Sequence, residues 1–280
     1  MTNPTPPSLI EICKSETIPV QGNRIVFPAY VKRIKLDVGL SNDAGQSLQW
    51  LNSDPDLGVV GIEPLQENVN GVKELVLSRD SGTSLEGRFH ILPIALGTKV
   101  ETRTIFVTSG DAGSSSLFKP LSILVLREET VRVFRLDEVL DLIDERRFPI
   151  IHFLKLDCQG SDLEILKSAS SALRRVAVVT AEAEDTSYLG TSNSEEEMDL
   201  YMTSQGFMRH NPRSPLRRKV GSWLAPLSVV HTIYGFLKRM LAHFSFKKNN
   251  SPLQVEDPTY VNKLFATSVY SGEITAWQKG

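Results

Sequence analysis

From Val31 onward the chain alternates between apolar runs and mixed segments. Runs that read as buried strands occupy Val31–Val38, Gly58–Glu63, Phe89–Leu96, Thr104–Thr108, Val131–Leu136, Ile151–Asp157 and Val176–Glu182. Helix-like segments lie between several of them, at Ala44–Asn52, Leu136–Glu145, Ser161–Ala172 and Ser194–Gln205. This succession predicts βαβ units, and therefore an α/β fold with a mostly parallel central sheet. The strands are continuously apolar rather than alternating, which implies helices on both faces. Lys263–Trp277 reads as an antiparallel edge strand. Residues 1–30 read as an N-terminal extension, because Pro4, Pro6 and Pro7 argue against an early helix. The core is expected over 31–212, an insertion over 213–256, and a C-terminal strand returning to the core over 257–280.

Composition changes this picture in one place. Of the 280 residues, 41% are hydrophobic and 23% charged, ordinary for a soluble globular protein, and the net charge is −2. Residues 213–248 contain eight Lys or Arg and no acid, so the remainder of the chain carries −10. Within them Ser222–Leu237 has no formally charged side chain, yet it falls short of the ~20 residues that span a bilayer. Two readings follow: a helical basic insertion acting as a lid, or an arm lying on an anionic membrane surface. The overall charge gives no reason to expect a nucleic-acid partner. Cys13 and Cys158 are too isolated for a disulfide framework or a cysteine zinc site. The first residues lack a basic stretch followed by an apolar core, so the expected location is cytoplasmic, with peripheral contact at the inner membrane surface through 213–248.

The candidate chemistry lies at strand ends. Asp37 and Gly39 follow the first strand, and Glu63 ends the second, 26 residues after Asp37. This spacing suits a nucleotide-type ligand at the carboxyl end of a parallel sheet, with Glu63 accepting hydrogen bonds from ribose hydroxyls. Asp37 is read as binding the ligand's amino group, directly or through water, or as capping the next helix. After Gly39 the next glycine is Gly45, so there is no G-x-G-x-x-G phosphate loop. That disfavours a dinucleotide and favours S-adenosylmethionine, which has a ribose and an adenine but no phosphate. Further along, Asp157 and Gln159 end another strand and are expected beside the Asp37 turn. Ser161 and Glu164 match a capping box. The histidines show no metal-ligand spacing; His152 reads as a satisfied core residue, and His210 as the histidine nearer a pocket. No metal is expected.

Several blocks make the resemblance specific. They are Leu36-Asp37-Val38-Gly39, Val60-Gly61-Ile62-Glu63-Pro64, Ser114-Ser115-Ser116-Leu117, and Arg135-Leu136-Asp137-Glu138-Val139-Leu140 followed by Leu154-Lys155-Leu156-Asp157-Cys158-Gln159-Gly160. With these blocks the chain resembles the FkbM family of S-adenosylmethionine-dependent methyltransferases over roughly residues 31–210, and again at 257–263. Members commonly carry D-x-G-A-N-x-G at the first turn, where this chain reads Asp37-Val38-Gly39-Leu40-Ser41-Asn42-Asp43. The resemblance implies a Rossmann-like methyltransferase fold, adenosylmethionine as cofactor, and O-methylation of a hydroxyl on a sugar or secondary metabolite. The candidate cofactor-binding residues are Asp37, Gly39, Leu40, Ser41, Glu63, Pro64 and Ala95. Asp157 and Gln159 are the candidate catalytic pair. The acceptor is expected to be a small molecule or saccharide, and the serines at 114–116 are expected near the mouth of the site. The alternative is a methyltransferase-like binding protein without turnover, docking on a membrane or an acidic partner. A nicotinamide oxidoreductase ranks third.

Overall fold

The computed structural model describes residues 6–79, 85–109, 113–183, 187–191, 193–210 and 257–271. The basic insertion expected at 213–256 lies outside them. In chain order the elements begin with α1 (Leu9–Ser15), β1 (Val20–Gln21), β2 (Arg24–Ile25), β3 (Arg33–Val38), α2 (Gly45–Ser53), β4 (Leu57–Ile62), α3 (Gln66–Arg79) and β5 (Phe89–Leu92). Next come β6 (Ala95–Leu96), β7 (Glu101–Thr108), β8 (Val125–Phe134), α4 (Leu136–Asp141), β9 (Phe153–Leu156) and α5 (Asp162–Ser168). The last are β10 (Val178–Ala181), α6 (Glu195–Ser204), β11 (Phe207–Arg209), β12 (Thr259–Asn262) and α7 (Ala266–Ser271).

Seven strands form the central sheet in the order β11-β12-β10-β9-β3-β4-β5. β3 pairs in parallel with β4 and β9, β4 with β5, and β9 with β10. Only β12 runs against its neighbours β10 and β11. All six residues of β4 are buried, as a strand covered on both faces requires. Successive side chains divide between the two faces: Val59 packs with Leu48, Leu51, Val69 and Val72 of α2 and α3. Val60 joins the opposite cluster with Leu136, Val139, Leu163 and Leu166 of α4 and α5. This is the Rossmann-like α/β architecture expected. Strand order reverses at β3 and β9, where open α/β sheets bind ligands beyond the strands' carboxyl ends.

Four features depart from the expected elements. The run Phe89–Leu96 breaks at Pro93, which has no N–H for a ladder. β5 stays in the central sheet, while β6 begins a separate three-stranded sheet ordered β6-β8-β7. β7 and β8 are therefore an antiparallel pair beside the main sheet, not members of it. The antiparallel C-terminal strand is Thr259–Asn262, inside the sheet between β10 and β11; the segment after it forms α7, and 272–277 lie outside the described residues. Finally, α1 forms directly after the prolines, because Ser8 and Glu11 make a reciprocal capping box. Leu9, Ile12, Cys13, Ile18, Ile25 and Phe27 belong to the same buried cluster as β3 and β9. Among the described residues, no helix is long and apolar enough to cross a membrane.

Candidate active site

A cleft of about 620 Å³ opens beyond the carboxyl ends of β3, β4 and β9. The β3 turn contributes Gly39 and Ser41, the end of β4 contributes Glu63 and Pro64, and β6 contributes Ala95. The loop before β8 adds Ser115 and Ser116, and the end of β9 adds Asp157 and Cys158. Of the nine candidate residues, Gly39, Ser41, Glu63, Pro64, Ala95 and Asp157 thus line one cleft, while Asp37, Leu40 and Gln159 do not.

The departures have local causes. Leu40 is buried with α2 and α3 on the other face, against Gly61. Asp37 is 1% exposed and lies behind the turn. Its Oδ2 accepts from Ser47 Oγ at 2.7 Å, and its Oδ1 faces Lys155 Nζ at 3.3 Å. The carboxylate therefore ties α2 and β9 to β3 beneath the cleft, and it does not cap α2 at its first residue. Burial works against the Lys155 ammonium, but Asp37 and Asp157 together outweigh it and hold it above the ordinary lysine range.

Glu63 is held by three donors. Ser41 N reaches its Oε2 at 3.0 Å, and Leu65 N and Asn68 Nδ2 reach its Oε1 at 3.0 and 3.1 Å. A carboxylate offers about four acceptor sites, which leaves one, on Oε2. Two simultaneous ribose bonds to Glu63 would need one of these contacts to open. Burial pushes the carboxyl up to about 7, against the pull of the three donors.

Asp157 is more open, with 42% of its side chain exposed. Lys155 Nζ lies 3.5 Å from its Oδ2, and Gln159 Nε2 donates to its Oδ1 at 3.0 Å. Gln159 sits in a left-handed conformation, φ 50°, and does not itself line the cleft. Nε2 also donates to Glu182 Oε2 at 3.0 Å, while Oε1 accepts from Tyr188 OH at 2.5 Å. Ser116 Oγ donates to Gln159 O at 2.6 Å, fastening the serine loop to this turn. Behind the turn Asp162 is fully buried; Cys158 N and Glu182 N donate to its two oxygens at 3.2 and 3.1 Å. Burial and the neighbouring Asp157 push its carboxyl up to about 8.

The expected capping box at Ser161 does not form. Ser161 makes no side-chain cap, Leu163 N donates instead to Asn193 Oδ1 at 2.9 Å, and Glu164 pairs with Arg103 at 2.8 Å. His152 is not satisfied as expected: Nδ1 is buried without a partner among the described residues, and burial pushes the ring down to about 4, leaving it neutral. His210 follows edge strand β11, where its N–H donates to Thr259 O, and it does not line the cleft. Reading the sequence alone missed Lys155, Asp162, Glu182 and Tyr188. Only Lys155 carried a signal, as a charge within an apolar strand. Among the described residues no acid, histidine or cysteine cluster suits a metal ion.

A mostly parallel sheet of this order, with an acid-bearing cleft at its switch point, defines a Rossmann-like α/β protein. The sequence matches the methyltransferase FkbM domain over residues 37–208, more than half of the chain, and the protein belongs to that family. Among solved structures, it is similar to methyltransferase FkbM from Methylobacillus flagellatus KT, with 15% identity and a TM-score of 0.45. That match covers 83% of this chain and 44% of the other. It is also similar to phosphoethanolamine N-methyltransferase 2 from Haemonchus contortus, in complex with S-adenosyl-L-methionine, with 11% identity and a TM-score of 0.36. There the match covers 84% of this chain and 50% of the other. The chain thus spans half the length of these structures or less. No curated protein matches it.

Proposed function

We propose that the protein transfers a methyl group from S-adenosylmethionine to a hydroxyl oxygen of a sugar or secondary metabolite. The observation that carries this reading is the charge of the cleft wall. Glu63 and Asp157 contribute carboxylates, and no lysine or arginine is among its described lining residues. A wall with two acids and no lining cation offers nothing to a pyrophosphate and suits a phosphate-free nucleoside.

Adenosylmethionine, when bound, supplies a methyl group made electrophilic by its sulfonium. Glu63 accepts a ribose hydroxyl on its remaining Oε2 site. Asp157 orients the acceptor hydroxyl and takes its proton, for a neutral alcohol is a poor nucleophile. Lys155 and Gln159 hold that carboxylate in place from either side. The family membership supports the methyl transfer, and the acid at the cleft mouth supports the oxygen acceptor. The basic composition of 213–248 supports a second element of the proposal, contact with an anionic membrane surface.

The test is calorimetry together with tritium transfer from labelled adenosylmethionine into cell-extract fractions. Glu63→Ala should weaken cofactor binding ~10–150-fold, the loss of one charge-assisted hydrogen bond. Asp157→Asn should lower turnover ~10²–10⁴-fold while leaving binding nearly intact. Wild-type affinity in the first variant, or wild-type turnover in the second, removes the corresponding role.

A further inference from the structure

We propose that the ribbon formed by residues 119–121 and 187–189, with the leucines that follow it in the chain, docks on an anionic lipid surface. This extends the membrane contact proposed above to residues outside the basic segment, and it is tested separately from that contact. Backbone joins the two stretches: Leu121 N donates to Ser187 O and Leu189 N to Lys119 O, both at 2.9 Å, around the antiparallel bridge of Pro120 and Tyr188. Alternation along such a pair puts successive side chains on opposite faces. One face is inward: Pro120 and Tyr188 are buried, and Tyr188 OH donates to Gln159 Oε1. The other bears Lys119, Leu121 and Leu189, all exposed. Ser115, Ser116 and Leu117, just before the ribbon, line the cleft, so this surface adjoins the site.

The apolar exposure here is repeated rather than single. Leu121, Leu124, Leu126 and Leu189 are between 59% and 67% exposed. Three of them fall within residues 121–126, and the ribbon brings the fourth beside that stretch. The other exposed large apolar side chains among the described residues are spread from Val26 to Leu264. Isolated exposed leucines are ordinary, whereas a gathering of them marks a contact surface.

Charge and residue type choose the partner. Residues 112–127 include Lys119 and Arg127 and no acid, although the chain outside 213–248 is acidic on balance. Arg127 is paired with Glu67 and Glu129, while Lys119 forms no ion pair among the described residues. A second copy laid on this face would bring the same cation and no acid to meet it. Protein partners are held mainly through aromatic and arginine anchors, among which leucine is under-represented. Leucines around an unpaired lysine match a bilayer surface. The apolar side chains enter the acyl boundary, and the ammonium stays with the anionic headgroups.

The experiment is flotation of the full chain with vesicles of phosphatidylcholine alone or mixed with phosphatidylserine. High salt screens the attraction of the basic segment. Under it, Leu121→Ser/Leu189→Ser and Leu124→Ser/Leu126→Ser should each lower partition about tenfold or more, through lost apolar insertion. Leu77→Ser/Leu200→Ser, equally exposed elsewhere, should leave it unchanged. Lys119→Gln should lower partition into the phosphatidylserine vesicles about fivefold at low salt and change nothing with the neutral ones. All these variants should keep the wild-type melting temperature and affinity for S-adenosylhomocysteine, because none of the altered side chains is buried or lines the cleft. Wild-type flotation of both ribbon pairs, or an equal loss in the Leu77/Leu200 pair, overturns the docking surface. So does a wild-type oligomer that the ribbon pairs dissociate without altering flotation, which makes the face an interface between copies. None of these outcomes touches the methyl-transfer reading, which the adenosylhomocysteine titration tests on its own.

Discussion

The backbone carbonyl oxygen of Asp157 lies 2.1 Å from the position a β-carbon on Gly39 would occupy. Gly39 also has φ 85°, a left-handed conformation that costs other residues energy. Gly39→Ala must therefore separate β3 from β9 at the floor of the cleft, and the obstacle is backbone that cannot rotate aside. The expected cost is about 3 kcal/mol or more in urea unfolding, together with loss of nucleoside binding. A variant with the wild-type unfolding midpoint would contradict this contact.

Stability should fall between pH 6.5 and 8. Burial pushes His90 and His152 down from 6.5 to about 4, so the unfolded chain takes up their protons first and stability rises with pH across that window. Burial pushes Glu63 up from 4.5 to about 7 and Asp162 up from 3.8 to about 8. For these the folded state holds the proton longer, so stability falls as pH rises through each window. The two pairs oppose one another up to about pH 6.5, above which the carboxyls dominate until Lys35, whose ammonium burial pushes down to about 8, begins to oppose them near the top of the range. The limiting slope is about 1.4 kcal/mol per pH unit for each net proton. Urea unfolding at pH 6.5, 7.2 and 8.0, followed by tryptophan fluorescence, measures it; a rise over this range would refute the assignment.

Tyr188 and Gln159 should act on turnover rather than on cofactor binding. Tyr188→Phe removes the donor to Gln159 Oε1 but leaves the amide attached to Asp157 and Glu182. About a fivefold fall in turnover is expected, the worth of one hydrogen bond. Gln159→Glu should do far more, ~100-fold, because it sets a third carboxylate against two others, and lower pH should partly rescue it. Steady-state kinetics across pH checks the order; equal effects of the two variants would show that the amide does not orient Asp157.

The basic segment 213–248 should carry the protein to anionic vesicles. Each cation near such a surface contributes roughly 1 kcal/mol, and salt screens the attraction. Flotation at low and high salt, with neutral and anionic lipid, compares the full chain with one lacking the segment. Equal flotation of both in every lipid would remove the membrane contact.

The sheet was legible where burial on both faces made strands continuously apolar, as in Val59-Val60-Gly61-Ile62. Glu63 and Asp157 followed from their places at strand ends, whereas the strand order that makes a switch point of β3 and β9 is set by long-range pairing that no local pattern carries. Other parts were hidden for definite reasons. The run through Pro93 kept its apolar character while changing sheets, so composition could not show the break. Helix α3 opens with Gln66-Glu67-Asn68, whose polarity masked it. Asp37 looked available because its partner Lys155 is 118 residues away. Tyr188 and Glu182 reach Gln159 from later segments, and no local pattern ties them to it. At Ser161 and Glu164 a valid local motif lost to long-range partners, Asn193 and Arg103.

Pro93 has a mechanical consequence. β5 ends at Leu92 and β6 starts at Ala95, so the chain passes from one sheet to the other in two residues. Ile94 between them is fully buried, and its N–H is held by Leu92 O at 2.9 Å. Floor and side wall are thus one stiff corner rather than two plates on a flexible joint. Whatever enters the cleft meets a fixed angle there, set by backbone rather than by side chains that could turn aside.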